Sequence, residues 1–427
     1  MPRLLADLSP LRESRQFRLL FIGQMVSWLG RQLTYVAVPY QVYELTHSSL
    51  AVGMVGLASL GPLIVFSLIG GAIADAMDRR RLLVVTQVLL VLMSVGLAIN
   101  AERTHPSLWP LYVLSALIAG LGGVEHPTRS AVLPKLVRRE LFPAAAALNQ
   151  IVMQVGLVAG PSAAGLLISR VSVASAYWID AATFGVIIVT LLRMEPLPPE
   201  GGGTPAGLSS IREGIAYLRG QRLLISTFVI DLDAMIFGMP RALFPALGLT
   251  VFGGGATTVG LLYAAPGAGA LVGALLTGWV TRVARQGLAV VLAVLLWGAA
   301  IAAFGVVGWL PLALLLLAVA GAADVVSAVF RNTILQLTVP DALRGRLTSV
   351  HIAVVTGGPR LGDAEAGAVA ALTTPRVSVV SGGLACIVGV AAIVRWAPEL
   401  VRYRALVYSN TSAEQSAERP EEGVTHG

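Results

Sequence analysis

The sequence is poor in charge. Asp, Glu, Lys and Arg make up 12% of its 427 residues, against 56% hydrophobic residues and a mean hydropathy of +0.79. An ordinary water-soluble chain carries about 25% charged residues, so that class is excluded and a polytopic membrane protein remains. Cysteine is nearly absent: the single thiol, Cys386, lies in an apolar run, which excludes a disulfide framework and leaves an inert packing residue. His47, His105, His126, His351 and His426 have no metal-ligand spacing and no Walker loop occurs, so no metal, no cofactor, no ATP use and no enzymatic activity are expected. A small-residue cleavage pattern is missing near the start, where Arg3, Arg12, Arg15 and Arg18 precede the first apolar run; that run is expected to stay as an uncleaved anchor. The net charge of +7 forms no single stripe, so nucleic acid is not an expected partner. The arginines gather in alternate loops, where they set topology and can touch anionic lipid headgroups.

What the chain does have is apolar runs of the length needed to cross about 30 Å of hydrocarbon. They predict twelve helices, near 17–43, 48–74, 82–100, 109–128, 144–169, 173–193, 223–249, 257–280, 287–307, 311–330, 347–372 and 377–396. The fold class expected is all-α and integral to the membrane, with both termini cytoplasmic. Residues 1–16 form a tail, 17–193 and 223–396 two six-helix halves, 194–222 a cytoplasmic linker, and 397–427 a largely disordered tail. Within the linker, Glu195 to Gly203 is rich in proline and glycine and reads as flexible. Ser210 and Glu213 then have capping-box spacing, while Leu208, Ile211, Ile215 and Leu218 share one face of a short surface helix. The halves repeat at an offset of 202, which superposes Arg129 on Arg331, Gly156 on Gly358, Gly160 on Gly362 and Gly165 on Gly367.

An ionisable side chain at the middle of a membrane helix costs on the order of 2.5–3.5 kcal/mol, so such residues are functional candidates. In the first helix Gln24, Ser27, Trp28, Arg31 and Tyr35 fall on one face and read as a cavity stripe. Arg31 is placed either to hold an anionic or hydrogen-bonding substrate or to pair with an acid from another helix. The seventh helix carries Asp231, Asp233 and Arg241; the two aspartates point to nearly opposite faces, and one of them is a candidate proton carrier. Pro240 and Pro245 permit that helix to bend. Gly156, Gly160, Pro161 and Gly165 in the fifth helix let a neighbour approach closely. In the eleventh, Arg360 and Asp363 are three apart and can pair. Glu125 and His126, near the end of the fourth helix, read either as a proton relay or, the preferred reading, as a cap on a cytoplasmic helix end.

Between the second and third helices stands a charged hairpin with Gly71, Asp75, Asp78, Arg79 and Arg80. It resembles the loop between helices 2 and 3 of the major facilitator superfamily, G-x-x-x-D-x-x-G-R-R/K, with Asp78 in place of the second glycine. The fifth-helix glycines resemble the pattern of the superfamily's exporters. Gly30 to Thr34, Pro39 to Thr46, Pro240 to Pro245 and Gly357 to Gly367 look like the enterobactin exporter branch, also described as transmembrane secretion effectors, over about residues 10 to 400. The resemblance implies two parallel six-helix bundles around a cavity and alternating access. It also implies outward transport of a small amphipathic molecule, a siderophore or drug, with protons as co-partner, and a hairpin whose Asp75 and arginines latch against Arg360 and Asp363. A monomer in the cytoplasmic membrane is expected. Import of a small nutrient, or a non-transporting receptor or scaffold, are the alternatives. The chain departs from well-known drug antiporters in having no charge from Trp109 to Val124.

Overall fold

The computed structural model describes residues 7–198, 213, 216–276, 278, 280 and 283–404; of these, the side chains of 71, 72, 74, 75, 341, 342, 344–346, 348 and 349 lie outside the description. Every regular element among the described residues is helical. The long helices are α1 (Arg15–Thr46), α2 (Ser49–Ala76), α3 (Arg79–Glu102), α4 (Leu108–Leu136), α5 (Phe142–Arg170) and α6 (Val173–Leu192). After the linker follow α7 (Arg222–Phe237), α8 (Gly255–Leu275), α9 (Gln286–Val306), α10 (Leu310–Thr338), α11 (Asp341–Leu372) and α12 (Pro375–Trp396). Ten spans among them are long and apolar enough to cross a bilayer. The other two, α1 and α11, are 32 residues long but too polar for that criterion, because they carry the residues that line the interior cavities.

Local chemistry fixes the ends. Ser14, Ser48, Asp78, Ser172 and Thr374 each accept a backbone N–H of the first turn of the helix they precede, meeting one of the donors a helix start leaves open. His47, in the left-handed conformation at φ 50°, ends α1 and turns the chain into α2 within two residues.

Three boundaries differ from the sequence reading. α4 runs on through Pro127, Arg129 and Pro134 to Leu136, and α10 runs through Arg331 to Thr338. Both arginines therefore lie inside helices, each matched to an acid, rather than in topology-setting loops. The seventh apolar run is not one helix. It breaks at Gly238-Met239-Pro240, passes through a 3-10 turn at Arg241–Leu243 and closes with a π-helical turn at Leu247–Val251. Proline has no N–H to continue the ladder, and the freed groups find other partners: the Gly238 carbonyl accepts Trp297 Nε1–H at 2.7 Å and Ala242 N–H reaches Asp363 at 3.2 Å. Trp297→Phe, at a position 3% exposed, orphans that carbonyl. We expect a loss of about 1–2 kcal/mol, read as a lower thermal midpoint of the detergent-purified protein.

The described residues that flank the linker and precede the tail's end make specific contacts. Glu195 N–H donates to Gln16, Leu197 O accepts Arg79 N–H and Pro198 O accepts Lys135 Nζ, so 195–198 is strapped to the first six helices. Pro398–Arg402 forms a short helix with Leu400 fully buried against α9. Of the expected surface helix, Leu208, Ser210, Ile211 and Ile215 lie outside the described residues; Glu213 is helical and Leu218 is buried against Leu224 and Phe228.

Residues 15–192 pack among themselves through α1 with α5 and α6, α2 with α4, and α3 with α4 and α6; residues 222–396 do so through α7 with α11 and α12, α8 with α10, and α9 with α10 and α12. Two seams join these sets, α5 against α8 and α2 against α11. The closest approaches across both seams lie toward the face that carries the α1–α2 turn. A Cβ on Gly367 would meet Ser49 O at 2.6 Å, one on Gly165 would meet Ala256 O at 2.6 Å, and one on Gly260 would meet Pro161 O at 2.5 Å. Only glycine lets these backbones touch.

Candidate functional site: two cavities lined by arginine

A cavity of about 450 Å³ lies between the two sets of helices. From the first set it takes Arg31, Thr34 and Tyr35 on α1 with small and apolar residues of α2 and α4; from the second it takes Arg241, Tyr263 on α8, and Pro359, Arg360 and Asp363 on α11. A second cavity, about 290 Å³, is lined by residues 20–153 alone, including Gln24, Trp28, Arg31, Glu125, Arg129 and Asn149, and lies toward the face where α1 begins. Arg31 borders both.

In the second cavity one carboxylate organises the wall. Glu125 is 2% exposed and in mid-helix. It accepts Arg31 Nη2–H at 2.7 Å and Gln87 Nε2–H at 2.6 Å, and it pairs with Arg129 one turn along α4. The guanidinium of Arg31 also stacks on the Phe184 ring, 5.5 Å from its centroid. Of the two roles open to Arg31, pairing with an acid from another helix is realised, while the side chain keeps a face on each cavity. Glu125 is thus not a helix cap. The sequence signal that could have found it is the i, i+4 pair with Arg129, concealed by ending the helix too early.

In the central cavity Arg241 ties the two sets of helices together. Its Nη1–H donates to Tyr35 OH at 2.8 Å, its Nη2 lies 3.7 Å from Asp363, and its carbonyl accepts Tyr263 OH at 3.0 Å. The 3-10 turn created by Pro240 is what turns Arg241 toward Tyr35. Arg360 does not pair with Asp363 as the i, i+3 spacing predicted; its Nη1–H donates to Thr356 O at 2.5 Å in its own helix, because Asp363 is already held by Arg241 and Ala242 N–H.

Gln24, Trp28, Arg31 and Tyr35 line these cavities as the stripe predicted, whereas Ser27 is buried and donates to Gln24 O. Asp231 and Asp233 line neither. Asp231 is 1% exposed and paired with Arg331 of α10 at 2.7 Å, and Asp233 faces α12, where its carboxyl lies against Gly389. A break just after α7 turns the segment that follows them, not the aspartates, toward the cavity. The helix-five motif packs as spaced: Gly156 on Trp28, Gly160 on Gln32, Gly165 on Gly260, with Pro161 O at the same seam.

The described side chains of the hairpin brace the first set of helices. Asp78 caps α3, Arg79 donates to Ala131 O at 3.1 Å, and Arg80 donates to Leu191 O and Leu192 O at 2.8 and 2.6 Å. Arg80 thus holds carbonyls at the end of α6, where the helix dipole favours cations, Arg79 holds one further inside α4, and neither reaches α11. The side chains of Gly71 and Asp75 lie outside the described residues.

Comparison with known proteins agrees with this architecture. The chain is 30% identical over 400 residues to the enterobactin exporter EntS of Shigella boydii serotype 18, covering 94% of this chain and 96% of that one. Among solved structures it resembles the nucleoside transporter NupG, with a TM-score of 0.70 at 10% identity over 89% of this chain and 98% of that one. It also resembles a bacterial homologue of the human lysosomal transporter Spinster in an inward-facing, unoccupied conformation, with a TM-score of 0.67 at 15% identity over 91% and 96%. At these identities the structural likeness is one of fold. The sequence profile of the transmembrane secretion effectors matches residues 5–420. The chain is a multi-pass membrane transporter, not an enzyme, and belongs to the transmembrane secretion effector branch of the major facilitator superfamily.

Proposed function

We propose that this chain is a secondary active exporter of the cytoplasmic membrane, with both termini cytoplasmic, which moves a small amphipathic molecule outward by alternating access in exchange for protons. In this reading α1–α6 and α7–α12 are two six-helix bundles, with the linker and tail on the cytoplasmic side, and the chain works as a monomer. The observation that carries it is the central cavity, lined from both sets of helices and bordered by seams whose closest contacts lie at one face. Seams tight at the α1–α2 face, with the smaller cavity lined from one set alone toward the opposite face, fit an inward-open state. Rocking the sets about the cavity would open α5–α8 and α2–α11 to the outside. The hairpin then acts as a brace that keeps α2, α3, α4 and α6 moving as one body.

The cavity chemistry narrows the cargo. Arg31, Arg241 and Arg360 face one aspartate across the central cavity, so its wall is net positive in a medium of low dielectric. An anionic or strongly hydrogen-bonding group on an otherwise apolar body is what this lining accommodates. A siderophore such as the cargo named for the relative EntS meets that description and is the substrate we assign first; other amphipathic drugs are the runner-up.

Inside-out membrane vesicles carrying the chain should accumulate enterobactin when energised with a proton gradient, and vesicles without it should not. Arg360→Gln removes a cavity charge that forms no ion pair with a carboxylate among the described residues. Loss of charge-assisted hydrogen bonds worth about 1.5–3 kcal/mol should lower uptake at limiting substrate roughly tenfold to a hundredfold. Equal uptake with and without the chain would overturn the assignment.

A further inference from the structure

The first six helices bury a carboxyl that plays no part in the cavity walls. Asp180 on α6 is 1% exposed. Its Oδ2 accepts the Thr34 hydroxyl of α1 at 2.6 Å and the Ser94 hydroxyl of α3 at 2.9 Å, while Oδ1 is buried with no hydrogen-bond partner. Among the described residues no cation forms an ion pair with it. The charged or titratable groups that face it are Arg31 on α1 and Tyr177 on its own helix; α3 presents neutral Ser94, and α5 carries no titratable residue over 142–169.

A carboxylate in such a place is expensive unless its oxygens are satisfied or a cation is brought to it. Such a cation stands nearby. Arg31 holds Glu125 through Nη2, yet its own Nε is buried without a partner, and its charge acts on Asp180. An orphan acceptor and an orphan donor thus sit on neighbouring side chains. Glu125 would not be stranded by a shift of Arg31, because Arg129 and Gln87 also hold it. The link to bulk is equally specific: Thr34 lines the central cavity, and a hydroxyl both accepts and donates.

We propose that Asp180 is the proton-exchanging carboxyl of this transporter, filled and emptied from the central cavity through the Thr34 hydroxyl and sensed by Arg31. The inference rests on the proton-coupled reading above. In the filling step a hydronium ion in the cavity gives a proton to Thr34 Oγ1 as that hydroxyl passes its own proton to Asp180 Oδ2. Carboxylate and hydronium become carboxylic acid and water, and Thr34 is unchanged. With Asp180 neutral, Arg31 rests on Glu125 as seen here. With Asp180 ionised, Arg31 turns its free N–H to Oδ1, and the positive charge shared by both cavities moves with it. Proton occupancy and the charge offered to substrate are then opposite settings of one side chain.

The test uses the full chain in proteoliposomes with a pH-sensitive dye trapped inside and enterobactin as probe. Wild type should couple enterobactin movement to a change in internal pH. Asp180→Asn, nearly isosteric, should still exchange labelled for unlabelled enterobactin while losing both the pH change and gradient-driven accumulation. Thr34→Val, which keeps the carboxyl but cuts its route, should slow the pH change relative to exchange. Undiminished coupling in Asp180→Asn would overturn the inference and leave the exporter reading standing; wild-type transport indifferent to the gradient would overturn proton coupling and the inference with it. Infrared difference spectra between acidic and alkaline buffer need no substrate. A protonated-carboxyl C=O band present in wild type and missing in Asp180→Asn supports the assignment; identical spectra refute it, whatever the cargo proves to be.

Discussion

Glu125→Gln should be among the most damaging single substitutions in the membrane interior. The amide keeps the shape of the side chain and its contact with Gln87, but Arg31 and Arg129 lose the only carboxylate that pairs with either of them among the described residues. Removing one partner of a buried ion pair costs about 3–5 kcal/mol, because a charge remains where water cannot solvate it. Both guanidinium groups keep a side facing the cavity, with 24% and 21% of their side chains exposed, which places the expectation near the lower end. The thermal midpoint of the purified protein should fall, and uptake should collapse with it. The informative control is Glu125→Gln combined with Arg129→Leu. That pair removes a negative and a positive charge together, so it should recover a good part of the stability that the single change loses. If the single variant is as stable as wild type, Glu125 is not the counter-charge of this cavity wall.

The same residues show what a sequence can and cannot disclose in a membrane transporter. Helix positions were legible because the bilayer imposes a length on each apolar run, and the cavity stripe Gln24, Trp28, Arg31 and Tyr35 was legible because polar residues at helical spacing stand out against an apolar background. Pairing was not. Arg129 and Arg331 read from sequence as topology signals, since an arginine near the end of an apolar run looks the same whether it lies in headgroups or reaches back to an acid. Asp231 stands out as one of two intramembrane acids of the seventh run, yet its partner Arg331 lies 100 residues away and the pair closes on itself without touching a cavity. Asp180 did carry a signal, an acid within the apolar run 173–192, and only its surroundings distinguish it: hydroxyls where Asp231 has a guanidinium. The hairpin motif pointed to a real structural unit, but the carbonyls it grips belong to α4 and α6, a fact set by tertiary packing.

Gly165→Val tests whether the seams are doors. At this position the backbones of α5 and α8 are in contact, so a valine side chain has no space on the α1–α2 face while the seam stays closed. Overpacking of this kind costs about 1–3 kcal/mol or more when backbone must move, and the cost falls only on the state in which α5 and α8 touch. Since each 1.4 kcal/mol is tenfold in a population, the variant should shift the chain about tenfold to a hundredfold toward the state open at the α1–α2 face. Transport should slow accordingly, because the return to the cytoplasm-facing state is penalised. The shift can be read directly. Cys386 is fully buried, so background thiol labelling is low, and Val38→Cys on the central cavity provides a reporter. A membrane-impermeant maleimide applied from the α1–α2 side should label it slowly in the Gly165 background and much faster with valine present. Gly367→Val, which would press on Ser49 and Leu50 of α2 across the other seam, should act in the same direction, since both seams must part for one rocking motion. Labelling unchanged by either wedge would mean that the two sets of helices do not separate there, and the alternating-access reading would fall.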